Sequence, residues 1–322
     1  MRILFVGTPD FAVVSLKALY ESGKHEIVGV MTAQDKPKGR GMQMAESDVK
    51  RFAVEHGIRV FQPEKVRKNP ELIEELKDLK ADIACVVVYG QILPKAFLEI
   101  FPNGCINVHP SLLPKYRGAA PIQWAIINGD KETGVCTMYL DVGMDDGDVI
   151  EKEVVSIGEE ETAGELWDRL ADIGSKLLVK TVNDISNGII HRTVQEGEVV
   201  IAPKIEKEMS KIDWNEKDAI QIKNLMRGLT PGFGIYSELN GKKIKFWKLQ
   251  ILTEREFLNE TGTEESTHLE AGTVLLASEK KGLFIQTKQG ILSVLEIQGE
   301  NAKRMPISDF LRGNSISVRK SF

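Results

Sequence analysis

Asn107 and His109 are the residues whose types and spacing most directly indicate chemistry. They lie two apart at the end of an apolar run, so in a β-strand their side chains point to the same face. Pro110 favours an extended backbone at His109. An amide donor beside an imidazole suits the stabilisation of a developing oxyanion, although a lone histidine here could equally be a polar residue that ends a strand.

A turn rich in Asp and Gly, residues 140–148, supplies the carboxylates that such an imidazole needs. It contains Asp141, Asp145, Asp146 and Asp148, and a carboxylate beside a histidine can orient the ring and raise its pKa. The same cluster could be a calcium loop. It lacks the ligand spacing and the twelfth-position Glu of an EF-hand, so we expect no metal site.

The elements that must position these side chains alternate along the first half of the chain. Apolar runs alternate with amphipathic stretches, which is typical of βαβ units and predicts an α/β fold with a mostly parallel sheet. Ligands bind such sheets outside the carboxyl ends of the strands. We expect strands at residues 2–6, 26–32, 59–62, 82–88, 105–108, 134–140 and 148–155, and helices at 11–21, 47–56, 69–77, 120–128 and 162–185.

A change of pattern divides the chain into two predicted domains. Residues 1–188 form the α/β domain, residues 189–205 read as a polar linker, and residues 206–322 form a second domain. In the second domain one helix at 219–229 precedes about five short strands separated by turn signals, which suggests a small β-barrel. The acidic residues 254–270 are expected to be a flexible loop.

Composition limits the class of protein. The chain has 322 residues, of which 42% are apolar and 28% charged, as in soluble globular proteins of two domains. No apolar run is long enough to span a membrane and no signal pattern opens the chain, so we expect a cytosolic protein. The net charge of −5 argues against a general nucleic-acid binder, but the part from residue 203 onward is net positive. Cys85, Cys105 and Cys136 are predicted to be buried thiols.

Two motifs together resemble the folate-dependent formyltransferases. Residues 107–114 read Asn-x-His-Pro-Ser-Leu-Leu-Pro, and residues 141–148 read Asp-x-Gly-x-Asp-x-Gly-Asp. The resemblance implies a Rossmann-like formyltransferase domain with a C-terminal OB-like β-barrel, and 10-formyltetrahydrofolate as the formyl donor. It implies that Asn107, His109 and Asp145 are catalytic, with the aspartate placed at 145 although Asp146 stands where family members often have a small residue.

Further segments resemble the branch of that family that acts on methionyl-tRNA. They are Gly7-Thr8-Pro9-x-Phe11-Ala12, Lys38-Gly39-Arg40-Gly41, residues 116–123, Ile212-Asp213-Trp214, and the tail segments 303–305 and 310–313. Residues 230–234 are a variant of the usual Asn-Pro-x-Pro-Gly segment. The likeness covers essentially the whole chain and implies a monomeric enzyme. Its acceptor would be the α-amino group of methionyl-initiator tRNA.

The resemblance also assigns binding residues. The pterin is expected along residues 86–93 and the turn before Asp145, with the loop 111–118 as the opposite wall. The expected folate-binding residues are Val86, Val87, Val88, Tyr89, Gly90, Gln91, Ile92, Leu93, Ser111, Leu112, Leu113, Pro114, Asp141 and Gly143. The glycine-rich loop 33–46 can approach phosphates, and Lys and Arg neutralise them, so the expected tRNA-binding residues are Lys36, Lys38, Arg40, Lys204, Lys207 and Lys211.

Three alternative functions remain open at this point. A nucleotide-dependent dehydrogenase fits poorly, because no GxGxxG follows the first strand and Pro9 occupies the turn. A formyltransferase for a purine-pathway or sugar amine would share the catalytic motif, but the basic loop and the predicted barrel argue against it. An RNA-binding protein with an inactive formyltransferase domain would not require an intact Asn107, His109 and Asp145.

Overall fold

The structure of the protein, a computed structural model, describes residues 1–38, 43–263 and 269–322. The chain divides into two compact units. The first comprises Met1–Pro121, Glu132–Ser156 and Glu165–Pro203. The second comprises Ile122–Lys131, Ile157–Gly164 and Lys204–Phe322, so it includes two short segments from the first half of the sequence.

The first unit is built on a seven-stranded sheet. Its order is β10-β9-β7-β6-β1-β2-β5, and the five strands β7, β6, β1, β2 and β5 are parallel to one another, as predicted, whereas β9 runs antiparallel to both of its neighbours, β7 and β10. Two-stranded pairings join β3 to β4 and β8 to β11. The strands are β1 (Arg2–Gly7), β2 (Glu26–Met31), β3 (Lys36–Lys38), β4 (Gln43–Ala45), β5 (Val60–Phe61), β6 (Ile83–Val87), β7 (Cys105–His109), β8 (Arg117–Gly118), β9 (Glu132–Tyr139), β10 (Val149–Ser156) and β11 (Ile201–Ala202).

Two helices of the first unit, α2 and α3, begin at residues whose side chains cap them. The Ser47 side chain accepts a hydrogen bond from Lys50 N at the start of α2, and Asn69 accepts one from Leu72 N at the start of α3. Across the described residues, no helix is both long and apolar enough to cross a membrane. The helices are α1 (Asp10–Glu21), α2 (Asp48–Glu55), α3 (Pro70–Lys77), α4 (Lys95–Leu98), α5 (Pro121–Ile127) and α6 (Ala163–Ser186).

Gly7, at the end of β1, lets three elements approach at the carboxyl edge of the sheet. A Cβ at this position would lie 2.6 Å from the Ala12 Cβ of α1 and 2.7 Å from the Val87 carbonyl oxygen of β6. The next residue, Thr8, accepts a hydrogen bond of 3.2 Å from Ala33 N, at the start of the basic loop. The loops after β1 and β2 are therefore tied together at this edge.

The second unit is an antiparallel sheet flanked by helices, with the strand arrangement of an OB-like fold. Its order is β12-β13-β16-β15-β14, with β17 paired to β16, and the pairings of the described residues do not join β12 to β14. The elements are a 3₁₀ helix (Lys207–Ser210), α7 (Ala219–Leu229), β12 (Ile235–Leu239), β13 (Lys242–Leu252), α8 (Glu254–Thr261), β14 (Val274–Ser278), β15 (Gly282–Gln286), β16 (Ile291–Gln298), β17 (Met305–Pro306) and α9 (Ile307–Gly313).

The expectation of a flexible loop over residues 254–270 is wrong for its first half, which forms α8. Thr253 and Glu256 make a reciprocal capping box at the start of this helix. Phe257 then packs edge-on against Phe284, with ring centroids 5.3 Å apart. One capping box and one buried ring therefore order a segment whose acidic composition suggested otherwise. Residues 264–268 lie outside the described residues.

All three cysteines are free and buried, which confirms their prediction as buried thiols. Burial raises the pKa of the Cys105 and Cys136 thiols to about 12, and it raises the pKa of Cys85 as well. Thiolates are the reactive form of cysteine, so these side chains act as small apolar residues in the sheet.

Candidate active site

Strand β7 carries Asn107 and His109. Val108 packs toward α6, since a Cβ at Gly174 would lie 2.9 Å from its Cγ1. Asn107 and His109 alternate with Val108 along the strand and therefore face away from α6. Asn107 is half-buried, and its side-chain amide forms no hydrogen bond within the described part of the chain. Its N–H groups are thus available to a ligand oxygen.

The imidazole of His109 makes one hydrogen bond and has one carboxylate neighbour. It is 4% exposed, and its Nε2 lies 2.9 Å from the Tyr116 carbonyl oxygen. A carbonyl can only accept, so Nε2 carries the proton and donates it. The other nitrogen, Nδ1, lies 3.7 Å from Asp145 Oδ2. In the neutral ring, Nδ1 is therefore the basic atom, and it faces a carboxylate.

The pKa of His109 is lowered from its ordinary value of 6.5. Burial is the largest cause, because a charged ring loses its hydration there, while Asp145 and the Tyr116 carbonyl each raise the pKa and offset part of that effect. We expected a carboxylate partner to raise the pKa of this ring. Asp145 does so, as expected, but desolvation outweighs its effect, so the net shift of the pKa is downward.

Asp145 is the residue of the Asp turn that faces His109. Its backbone φ is +50°, an unusual conformation for a residue other than glycine, and its Oδ2 accepts a 2.8 Å hydrogen bond from Gly118 N. Asp146 instead folds over Gly143, where any Cβ would lie 1.9 Å from Asp146 Oδ2. A side chain at residue 143 would therefore require the Asp146 carboxylate to move. Within the described residues, no three His, Cys, Asp or Glu side chains are grouped as metal ligands.

Residues 86–93, the expected pterin wall, divide into buried and exposed parts. Val86, Val87 and Tyr89 are buried in the sheet core, so their side chains are not open to a ligand. Val88 is half-buried with φ +46°, which turns the chain at the strand end. Ile92 is 76% exposed, an unusual state for a large apolar side chain. Gly90 is exposed, and Gln91 and Leu93 are half-buried.

Residues 111–114, in the expected opposite wall, are held by a hydrogen bond and by packing in the protein core. The Ser111 hydroxyl donates to the Lys115 carbonyl at 2.6 Å, and Leu113 packs in a small core cluster with Cys136, Met138 and Val149. Leu112 and Pro114 are half-buried. On the Asp turn, Asp141 is exposed and accepts a 2.7 Å hydrogen bond from Val142 N.

The basic residues lie on two separate segments. Lys36 is exposed on β3, Lys38 ends that strand, and Arg40 lies outside the described residues. Asp35 anchors this loop at its base, since its carboxylate lies 2.6 Å from Lys50 Nζ and accepts a 2.8 Å hydrogen bond from Gln62. Lys204, Lys207 and Lys211 are exposed in the second unit.

Gln195 contacts the Asp turn and is itself held by Arg117, and the sequence identified neither as a site residue. Gln195 Nε2 donates to the carbonyl oxygens of Asp145 and Gly147, at 2.8 Å each. The Arg117 guanidinium donates twice to Gln195 Oε1, at 3.0 and 2.7 Å. Arg117 stood within a recognised motif, but nothing in the sequence around Gln195 distinguished it from other polar residues of the predicted linker.

A buried histidine lies beside a carboxylate and next to a half-buried amide at the carboxyl end of a parallel sheet, an arrangement that suits acyl transfer. In agreement, the profile of the formyl transferase family matches residues 1–182, and that of the formyl transferase C-terminal domain matches residues 204–315. The chain therefore belongs to the formyl transferase family.

Full-length relatives identify the branch of the family. The chain is 48% identical to the methionyl-tRNA formyltransferase of Alkaliphilus oremlandii over 98% of this chain and 97% of that one. It is 44% identical to the methionyl-tRNA formyltransferase of Caldanaerobacter subterraneus subsp. tengcongensis over 98% of each. An N-formyltransferase from Helicobacter canadensis, solved with folinic acid and dTDP-3-aminofucose, shares the fold with a TM-score of 0.64 at 19% identity, over 91% of this chain and 98% of that one.

Proposed function

We propose that the protein transfers the formyl group of 10-formyltetrahydrofolate to the α-amino group of methionyl-initiator tRNA. The observation that carries this proposal is that buried His109 lies 3.7 Å from Asp145. It is made in a chain that aligns along nearly its full length with relatives named methionyl-tRNA formyltransferase. We also propose a monomer that acts in the cytosol, where translation begins.

His109 acts first as a base and then as a cation. The neutral amine attacks the formyl carbon, and the carbonyl π electrons move onto its oxygen, where the Asn107 amide donates a hydrogen bond. His109 Nδ1 takes the proton that the amine loses, and the imidazolium is stabilised by Asp145 and the Tyr116 carbonyl. When the tetrahedral intermediate collapses, the bond from carbon to folate N10 breaks and N10 receives that proton.

The folate donor is assigned to the exposed backbone and apolar groups around the strand ends. Burial leaves the side chains of Val86, Val87 and Tyr89 unavailable, so in this proposal these residues contact the folate through backbone groups. Ile92 at 76%, Val142 at 68% and Met144 at 55% exposure offer apolar surface for a flat heteroaromatic ring.

The tRNA is assigned to the basic loop of the first unit and, separately, to a face of the second. On β12 and β13 two aromatic rings alternate with lysines, which suits both base stacking and phosphate contact. Lys243 Nζ lies 3.3 Å from the Tyr236 ring centroid, and Lys245 Nζ lies 5.2 Å from that of Trp247. Burial is the largest cause of the lowered pKa of Lys245, and the positive charges of Lys243 and Lys207 lower it further.

The decisive test is transfer of labelled formyl from 10-formyltetrahydrofolate to charged initiator tRNA. Uncharged tRNA and glycinamide ribonucleotide serve as competing acceptors in the same reaction. We expect label only on the amino acid of charged tRNA, released by hydrolysis of the ester. Label on glycinamide ribonucleotide, with none on the tRNA, would instead identify a small-molecule formyltransferase.

Removal of positive charge from the basic loop is expected to weaken the binding of tRNA but not that of the folate. Arg40→Ala and Lys36→Ala each delete one phosphate partner, so KM for charged tRNA rises and the slope of log kcat/KM against log salt decreases by about 1 per lost contact. KM for the folate stays unchanged. Lys176→Ala, which removes an exposed lysine of α6, is the matched control. Equal effects on folate and tRNA would contradict the assignment.

A further inference from the structure

Residues 192–202, here called the clamp segment, contact the elements that carry the catalytic side chains. At one end, the Arg192 guanidinium lies 3.8 Å from the Tyr139 ring centroid and 3.6 Å from Asp148 Oδ2. Thr193 and Val149 exchange two backbone hydrogen bonds of 2.9 Å. These contacts fix the clamp segment beside the C-terminal end of the Asp turn.

At its other end, the clamp segment pairs with the strand that follows Tyr116. Strand β11 pairs with β8 in parallel, Arg117 N donates to the Val200 carbonyl at 2.9 Å, and Ala119 N donates to the Ala202 carbonyl at 2.8 Å. Gly118 is tightly enclosed here, since a Cβ would lie 2.7 Å from the Ala202 oxygen. Gly118, whose N–H donates to Asp145, therefore belongs to this strand pairing. Tyr116, whose carbonyl accepts from His109, directly precedes it.

Gln195 lies between these two anchored ends and joins them. Its amide orientation is unambiguous, because the guanidinium of Arg117 must face an acceptor and the two turn carbonyls must face donors. Arg117 therefore holds the Oε1 atom while both Nε2 hydrogens hold the Asp145 and Gly147 carbonyls. A glutamate at this position would set a carboxylate against two carbonyl oxygens.

The Asp turn needs such an external support. Its apolar residues Val142 and Met144 are 68% and 55% exposed, so they contribute little packing that would hold the turn in place. Asp145 itself has φ +50°, which favours glycine over aspartate. A turn with an unfavourable backbone conformation and little burial keeps its shape only when other groups fix it.

We propose that Gln195, held by Arg117, is a positioning residue that fixes Asp145 against His109 during formyl transfer. This inference rests on the proposed function. Gln195 touches neither substrate in this scheme. It acts through the backbone carbonyl of Asp145, while Gly118 N holds the same residue by its carboxylate.

Gln195→Met tests the clamp, because methionine keeps the length of the side chain and removes its hydrogen bonds. We expect kcat to fall by about 10- to 100-fold, as for other losses of geometry around a catalytic group, with KM for both substrates within about twofold of wild type. Glu196→Ala, at the exposed neighbouring position, is the control and should keep full activity. Arg117→Met should reproduce the loss, and the double variant should be no worse than either single variant.

A pH profile distinguishes positioning from general loosening of the fold. Asp145 raises the pKa of His109, so a displaced carboxylate lets that pKa fall further, and the acid limb of log kcat moves to lower pH in Gln195→Met. A lower kcat with an unmoved acid limb would overturn the inference, and so would wild-type kcat.

Amide hydrogen exchange gives a readout that does not depend on activity. The Gly118 amide donates to Asp145 Oδ2, so we expect its exchange to become faster in Gln195→Met and unchanged in Glu196→Ala. If the unaltered protein formylates no tRNA, the proposed function fails, and the exchange rates still decide whether Gln195 holds the turn. Unchanged exchange in Gln195→Met would overturn the inference even in an active enzyme.

Discussion

Replacement of His109 by alanine is expected to lower kcat by about 10²- to 10⁴-fold, the range for loss of a general acid–base group. The amine must lose a proton as it attacks, and within the described site Nδ1 of His109 is the buried base that faces Asp145. Stopped-flow or quench-flow transfer from the folate to charged tRNA measures the chemical step directly. His191→Ala, at an exposed histidine, is the matched control.

The pH dependence of the wild-type reaction follows from the lowered pKa of His109. The neutral ring is the active base, and burial keeps it neutral at pH values below its ordinary 6.5, so turnover should persist below that pH before it declines. The single-turnover rate against pH therefore shows an acid limb below 6.5, which His109→Ala abolishes. Near-wild-type turnover of His109→Ala would end the assignment.

Replacement of Asn107 by alanine is expected to lower kcat by about 10²- to 10³-fold, the cost of losing one oxyanion donor in other acyl-transfer enzymes. The amide has no hydrogen-bond partner among the described residues, so its donors are available when the oxyanion forms. Because this contact strengthens only in the transition state, KM for both substrates should stay unchanged.

Two further variants sharpen the test of Asn107. Asn107→Asp keeps the shape but sets a carboxylate beside the developing oxyanion, so its loss should exceed that of the alanine variant. Asn187→Ala, at an exposed asparagine, controls for nonspecific effects. A raised KM with unchanged kcat would show that the amide binds the ground state and would refute the oxyanion role.

Much of the fold follows from local patterns in the sequence. Alternating apolar and amphipathic stretches predicted the parallel strands β1, β2, β6 and β7, and Ser47 and Asn69 begin helices where capping rules place them. Segment 254–270 departs from its prediction because the prediction gave more weight to its acidic composition than to the helix-capping residues at its start. The capping box of Thr253 and Glu256 was legible in the sequence, but the burial of Phe257 against Phe284 depends on a strand that follows some 20 residues later.

The sequence by itself determined that Asn107 and His109 lie on the same face of β7, because residues two apart on a strand must share a face. It could not rank the influences on His109, since burial depends on how the chain packs and not on its neighbours in sequence. Nor could it find Gln195. Hydrogen bonds from Gln195 to Asp145 and Gly147 span 50 and 48 residues, and only the tertiary structure brings such distant polar groups to 2.8 Å.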